Sequence, residues 1–251
     1  MPVRCNAACA RHSLSVPAMM TRGVRRDVLA ATPLFHQLDR AELDALADLA
    51  TERHVSRDGS VVRRGESDGC LLVLVHGRLR AGAMSADGRE VTIALLEPGA
   101  VLGEIALLDG RPRSMDVVAM LDSLLLQVDR AAFLPFLRAR PDLMLRLMAL
   151  LCDRLRRASA AYEDVALSPL SARLARLLLA LAGTHGAPGA DGIRIRLRLS
   201  QRDIGTQVAA TRERVNKQFR LWHEAGVLGE QGGHLVVRKP DALRALIETP
   251  D

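Results

Sequence analysis

Aromatic residues are nearly absent: one tryptophan, one tyrosine and four phenylalanines in 251 residues. The apolar 49% of the chain must therefore pack its cores mainly with leucine, valine, alanine and methionine. Lysine is also scarce. Lys217 and Lys239 are the only lysines among 35 basic residues, so arginine carries the positive charge. Cysteine is limited to Cys5, Cys9, Cys70 and Cys152 with no C-x-x-C pair, which excludes a disulfide scaffold and suits a reducing cytoplasm. No apolar run approaches membrane-spanning length, so no membrane partner is expected. An H-E-x-x-H motif, a Walker loop and a nucleophile–base set are all missing, and the histidines are scattered. No catalytic residues, metal site or covalent cofactor are expected, and the chain does not read as an enzyme.

What is present is basic and modular. The length admits two modest domains, and a net charge of +6 suits a polyanion. Between residues 191 and 220 eight basic residues face three acidic ones, a local excess of +5. That region holds Leu199 to Arg220, which reads as two short helices joined by a tight turn. Ser200 and Asp203 form a capping-box pair for the first helix, and Thr211 caps the second. Ile204 and Val208 share a buried face, and Gly205 leaves room for close helix approach. In the second helix Val215, Phe219 and Trp222 recur at helical spacing, leaving Arg212, Glu213, Asn216, Lys217 and Arg220 outside. Arginine makes two bonds to guanine and a carboxylate accepts from cytosine, so this face suits base-edge reading. The stretch reads as a helix-turn-helix whose second helix is the candidate reader; alternatively, it is an ordinary helical hairpin with a solvated charged face.

Upstream the pattern changes several times. Residues 1–32 hold five arginines against Asp27 and show little periodicity, which reads as a mobile extension; Met19 and Met20 are alternative starts within it. The uncharged stretch from Ser13 to Thr21 is too short and polar for a secretory signal. Leu34-Phe35-His36-Gln37-Leu38 opens the first domain, and Asp39 caps a helix carrying Leu43, Leu46 and Leu49-Ala50. Short apolar runs then alternate with glycines, including Ser60–Val62, Leu71–Val75, Val91–Leu96 and Leu124–Val128, the pattern of a β-barrel or β-roll. Asp87-Gly88 reads as a hairpin turn.

After Arg140-Pro141 a helical pattern runs to about Asp164 with two stripes. Leu143, Leu147 and Leu150 face one way. Met144, Met148, Leu151, Leu155, Ala158 and Tyr162 alternate by four and three, which reads as a seam for pairing with a second copy or, alternatively, as the second face of a core helix within a monomer. Ser168 is the expected N-cap of the next helix, with Pro169 at its first position and an end near Gly183. A loose loop from His185 to Gly192 follows. Ile193, Ile195, Leu197 and Leu199 then alternate with Arg194, Arg196 and Arg198 as a half-buried strand. A Gly232-Gly233 turn between Leu228 and Leu235-Val236-Val237 adds a wing behind the helix-turn-helix. The fold class is α+β, divided as 1–32 extension, 33–139 β-roll, 140–166 dimerisation helix and 168–251 winged helix-turn-helix.

Within the roll, Gly103-Glu104-Ile105-Ala106 forms one helical turn with free N–H groups, and Arg113 with Ser114 adds donors for an anion. Glu104 accepts from a sugar hydroxyl. Together these suit a phosphorylated sugar; alternatively, Glu104 and Arg113 form a structural ion pair and the glycines only make turns.

Gly103-Glu104-Ile105-Ala106-Leu107 followed by Arg113-Ser114 resembles the phosphate-binding cassette of cyclic-nucleotide-binding domains. With the winged module behind it, the chain resembles the catabolite activator protein / fumarate-nitrate regulator (Crp/Fnr) family over about residues 33–240. The resemblance implies a cytoplasmic, homodimeric transcription regulator that binds two-fold related half-sites in double-stranded DNA and contacts RNA polymerase. It implies a cyclic nucleotide, cAMP foremost, as effector. Glu104 would bond the ribose 2′-hydroxyl, Arg113 and Ser114 the cyclic phosphate, and Ser159 the base. Arg212, Glu213 and Lys217 would read bases, and Gln201 would touch the DNA backbone. Thr211, which caps the reading helix, would be a further DNA-binding residue. Four positions depart from the family pattern: Met115 and Ala158 at the effector site, Lys217 on the reading face, and Ala209 where glycine is usual in the turn.

Other readings keep the DNA module but change the signal. An iron–sulfur cluster would use the four cysteines, whose spacing does not match, and haem would use His76 or Cys70. A regulatory subunit of an enzyme would need the roll but not Ser200–Arg220.

Overall fold

The computed structural model describes residues 20–84 and 90–248. Part of the expected extension is ordered. Arg22–Ala31 forms helix α1, capped by Thr21, with Leu29 fully buried and Arg22 paired with Asp48. Three arginines and an aspartate among its ten residues hid this helix, which is too short to be stable without packing. Asp39 and Glu42 complete a capping box at α2 (Arg40–Leu49). Ala50, expected at that helix's end, instead begins strand β1 (Ala50–Val55).

The roll continues with β2 (Ser60–Val62), β3 (Cys70–His76), β4 (Leu79–Met84), β5 (Glu90–Leu96), β6 (Val101–Leu102), helix α3 (Glu104–Asp109), β7 (Asp116–Ala119) and β8 (Ser123–Asp129). Two four-stranded sheets form, ordered β1-β8-β3-β6 and β2-β7-β4-β5. The apolar run of β3 is continuous because both of its faces are buried. Leu72 and Leu74 join Leu79, Val117 and Leu125 inside the roll. Leu71 and Val73 join Phe35, Leu46, Leu126 and Phe133 in the core beneath the helices. The hairpin turn expected at Asp87-Gly88 lies outside the described residues.

Helix α4 (Arg130–Arg138) leads into α5 (Pro141–Leu167). The two stripes of α5 separate as expected: Leu143 and Leu147 are buried against the roll, whereas Met148, Leu155 and Tyr162 are 46%, 68% and 76% exposed. Helix α6 (Leu170–His185) begins one residue later than expected, with Pro169 at the N-cap and Ser168 ending α5. Pro169 holds an extended ψ of 157°, so it precedes the helix rather than opening it. Arg173 ties this elbow, donating to the carbonyls of Val165 (3.0 Å) and Ser168 (3.5 Å). Burial, and secondarily Arg214, lowers the pKa of its guanidinium.

The C-terminal module adds β9 (Gly186–Gly189), β10 (Gly192–Ile195), α7 (Gln201–Gln207), α8 (Arg212–Glu224), β11 (Leu228–Gln231), β12 (His234–Val237) and α9 (Pro240–Glu248). The expected loop from His185 to Gly192 is instead the first strand of a hairpin. Its Gly-Ala-Pro-Gly sequence has no strand preference, and pairing with β10 imposes the conformation. The alternating strand ends early, at Ile195, although Leu197 still enters the core with Ile204, Val215 and Trp222.

Candidate effector pocket and nucleic-acid interface

Gly103, at φ 89°, turns the chain from β6 into α3. It places Glu104 and Ala106 in the interior and leaves Ile105 39% exposed. Glu104 is 1% exposed; one carboxylate oxygen pairs with Arg154 of α5, while the other is buried without a partner among the described residues. Arg154 also donates to the carbonyl of Val101. Arg113 is likewise interior. Its Nε donates to Asp68 at 2.8 Å, Nη1 to the Gly103 carbonyl at 3.2 Å, and Nη2 to the carbonyl and Sγ of Cys70, both at 3.0 Å.

Glu104 and Arg113 therefore do not pair with each other; each has a different partner of opposite charge. Gly103, Glu104 and Arg113 come together, Ser114 is exposed beside them, and Met115 packs toward the roll core. Ser159 is exposed on α5, five residues past Arg154. Burial pushes the Cys70 thiol pKa up despite the nearby Arg113. Cys152 is exposed on α5. Among the described residues no three His, Cys, Asp or Glu side chains converge as metal ligands. Sequence reasoning missed Asp68, Cys70 and Arg154 as partners. Ser67-Asp68-Gly69 reads only as a turn, and Arg154 is one of three arginines in a short helical span.

In the C-terminal module, Ser200 and Asp203 form the expected reciprocal cap of α7. Thr211 Oγ accepts from the Arg214 amide at 3.4 Å to cap α8. Gly205 is required by the turn: a Cβ there would lie 2.6 Å from the Ala210 carbonyl. Ala209 occupies the left-handed region at φ 50°. Val215, Phe219 and Trp222 are buried, with Phe219 and Trp222 rings stacked 6.2 Å apart.

This packing leaves Thr211, Arg212, Glu213, Asn216 and Lys217 exposed on one side of α8. A shallow concavity of about 500 Å³ is lined by Thr211, Arg212, Glu213 and Asn216. A second joins Arg212 and Asn216 to Ser200, Gln201 and Arg202 of the preceding cap and helix. The geometry thus gathers Gln201, Thr211, Arg212 and Glu213 and adds Asn216, which the sequence placed outside without a role. Among the described residues Arg212 and Lys217 make no ion pair, in contrast to Arg220, which lies 3.9 Å from Glu224. Unpaired cations beside a concave helix face are suited to phosphates and base edges.

A family profile for the cyclic nucleotide-binding domain matches residues 52–140, and one for the Crp-like helix-turn-helix domain matches residues 172–246. The CRP-like cAMP-activated global transcriptional regulator of Mycobacterium tuberculosis is 25% identical over 217 residues, covering 86% of this chain and 97% of that protein. The anaerobic regulatory protein of Bacillus subtilis is 25% identical over 207 residues, covering 82% and 87%. The solved structure of FixK2 from Bradyrhizobium japonicum matches with a TM-score of 0.69 and 25% identity, covering 80% of this chain and 99% of that one.

Proposed function

We propose a mechanism from the premise that this chain belongs to the Crp/Fnr family of DNA-binding transcription regulators and is not an enzyme. The regulator is a homodimer gated by a cyclic nucleotide, with cAMP as the first candidate. The observation that carries this is the buried cassette: among the described residues Glu104 retains an unpartnered carboxylate oxygen beside Arg154, and Arg113 lines the same turn. Glu104 accepts the ribose 2′-hydroxyl. Arg113 and Ser114, with the amides of Gly103 to Ala106, hold the cyclic phosphate, and Ser159 meets the base. Arg113 is already bonded to Asp68 and Cys70, so the phosphate must exchange with some of those contacts.

Arg154 links the cassette to α5, whose stripe of Met144, Met148, Leu155, Ala158 and Tyr162, all exposed, and half-buried Leu151 forms the dimer seam. Effector binding shifts the population of seam packings. The paired α8 helices then enter successive major grooves, roughly 34 Å apart. Gln201 and Thr211 contact backbone, while Arg212, Glu213 and Lys217 read bases. The working division is roll 33–139, dimer helix 140–166 and DNA module 168–251, in the cytoplasm, with RNA polymerase as further partner.

The relatives include one named as cAMP-activated and one named as an anaerobic regulator, so the family accommodates different signals. Calorimetric titration of cAMP into wild type and Arg113→Ala separates them. Saturable binding by wild type that is lost in the variant is expected. No binding by wild type, or unchanged binding by the variant, removes the cyclic-nucleotide reading and leaves a DNA-binding regulator with another signal.

A further inference from the structure

Helix α7 is joined to the roll by a contact that bypasses α5. Thr92, in the middle of β5, and Thr206, in the last turn of α7, place their hydroxyl oxygens 2.7 Å apart. Each residue is only 7% exposed. Thr206 donates its hydroxyl proton to the Asp203 carbonyl at 2.8 Å, so Thr92 is the donor across the junction. β5 is an edge strand, and Thr92 faces Gly82 across the ladder, which brings no side chain to that face. The flanking Val91 and Ile93 are 46% and 57% exposed, so α7 covers the Thr92 face alone. Farther along, His185 at the end of α6 lies 3.8 Å from Glu97, which also accepts from Arg78.

The junction is polar. Among the described residues the apolar cluster of the C-terminal module contains no roll residue, and neither roll cluster contains a residue of that module. An interface without a shared apolar core is suited to opening and closing. The His185–Glu97 pair also bridges roll and module, and the α5–α6 elbow joins them along the chain. Reorientation of the reader against β5 therefore requires the Thr92–Thr206 bond to break. β5 also runs through Pro98-Gly99 and β6 into the cassette at Gly103, so a shift in the cassette reaches Thr92 along one short segment. In the present arrangement Arg113 and Glu104 are bonded to protein groups, and the junction is closed.

We propose that Thr92 and Thr206 are positioning residues for the DNA reader, forming a hydroxyl latch that restrains α7 on the roll until the cassette takes up its effector. This rests on the cyclic-nucleotide reading for the identity of the trigger, but the restraint itself does not depend on it. Replacing one partner leaves the other hydroxyl buried against an apolar group, whereas replacing both leaves a matched apolar contact.

The test uses the full chain and a labelled duplex selected by the wild-type protein from a random-sequence pool. DNA affinity is measured with and without cAMP for wild type, Thr92→Val, Thr92→Ser and Thr92→Val/Thr206→Val. Hydrogen exchange of residues 90–97 and 201–207 is followed in parallel. Thr92→Val is expected to raise cAMP-free DNA affinity at least threefold, narrow the cAMP response, and speed exchange in both segments. Thr92→Ser keeps wild-type values, and the double variant lies between. Unchanged cAMP-free affinity in Thr92→Val, or an equal rise in Thr92→Ser, overturns the latch. A wild type indifferent to cAMP defeats the effector reading alone, and the cAMP-free comparison still decides the latch. Failure to select any duplex defeats DNA reading, and the latch with it.

Discussion

Ala209 is the residue at which the helix-turn-helix departs most from its own geometry. The turn puts it at φ 50°, a conformation that a Cβ penalises and glycine adopts freely. Ala209→Gly is expected to stabilise the protein by about 0.5–1 kcal/mol, measured by urea unfolding. No gain would mean that local packing relieves the strain. Glu104 raises a different issue, because its partner Arg154 is 31% exposed and solvent screens the pair. Glu104 and Arg113 were legible in the sequence from their place beside Gly103 and Ser114. Their partners were not. Asp68 and Arg154 lie far away along the chain, and only the packing of β3 and α5 against the cassette brings them there.

Among the elements, α8 carries the sharpest expectation. Arg212→Ala should cost roughly 1–3 kcal/mol of binding on the selected duplex and little on random DNA, measured by fluorescence anisotropy. An equal loss on both would show that Arg212 touches only phosphate. The caps and buried stripe of α7 and α8 were readable because local chemistry determines them: Ser200 with Asp203, Thr211, and Val215 with Phe219 and Trp222. Strands that depend on a partner were less readable. β9 has no strand-forming residues, and the start of β1 blends into the apolar end of α2. Helix α1 was lost within an arginine-rich segment because its buried face rests largely on Leu29.

For the molecule as a whole, the proposed mechanism makes α5 the part that joins effector, partner chain and reader. Its roll-facing leucines are covered, while Leu155 and Tyr162 remain largely exposed in the single chain. Leu155→Glu is therefore expected to preserve the fold by circular dichroism but yield monomers by sedimentation velocity. A dimer of unchanged stability would place the interface elsewhere. Both stripes were visible in the sequence because a straight helix repeats them at fixed spacing; the docking of α7 on β5 was not, because Thr92 and Thr206 are separated by much of the chain. The central claim is that cassette occupancy controls DNA reading. Its most direct test is the mobility shift of the selected duplex by wild-type protein titrated with cAMP, cGMP or no ligand. The account predicts tighter binding with cAMP, corresponding to a bias of several kcal/mol between the two states. Identical affinity under all three conditions would contradict it.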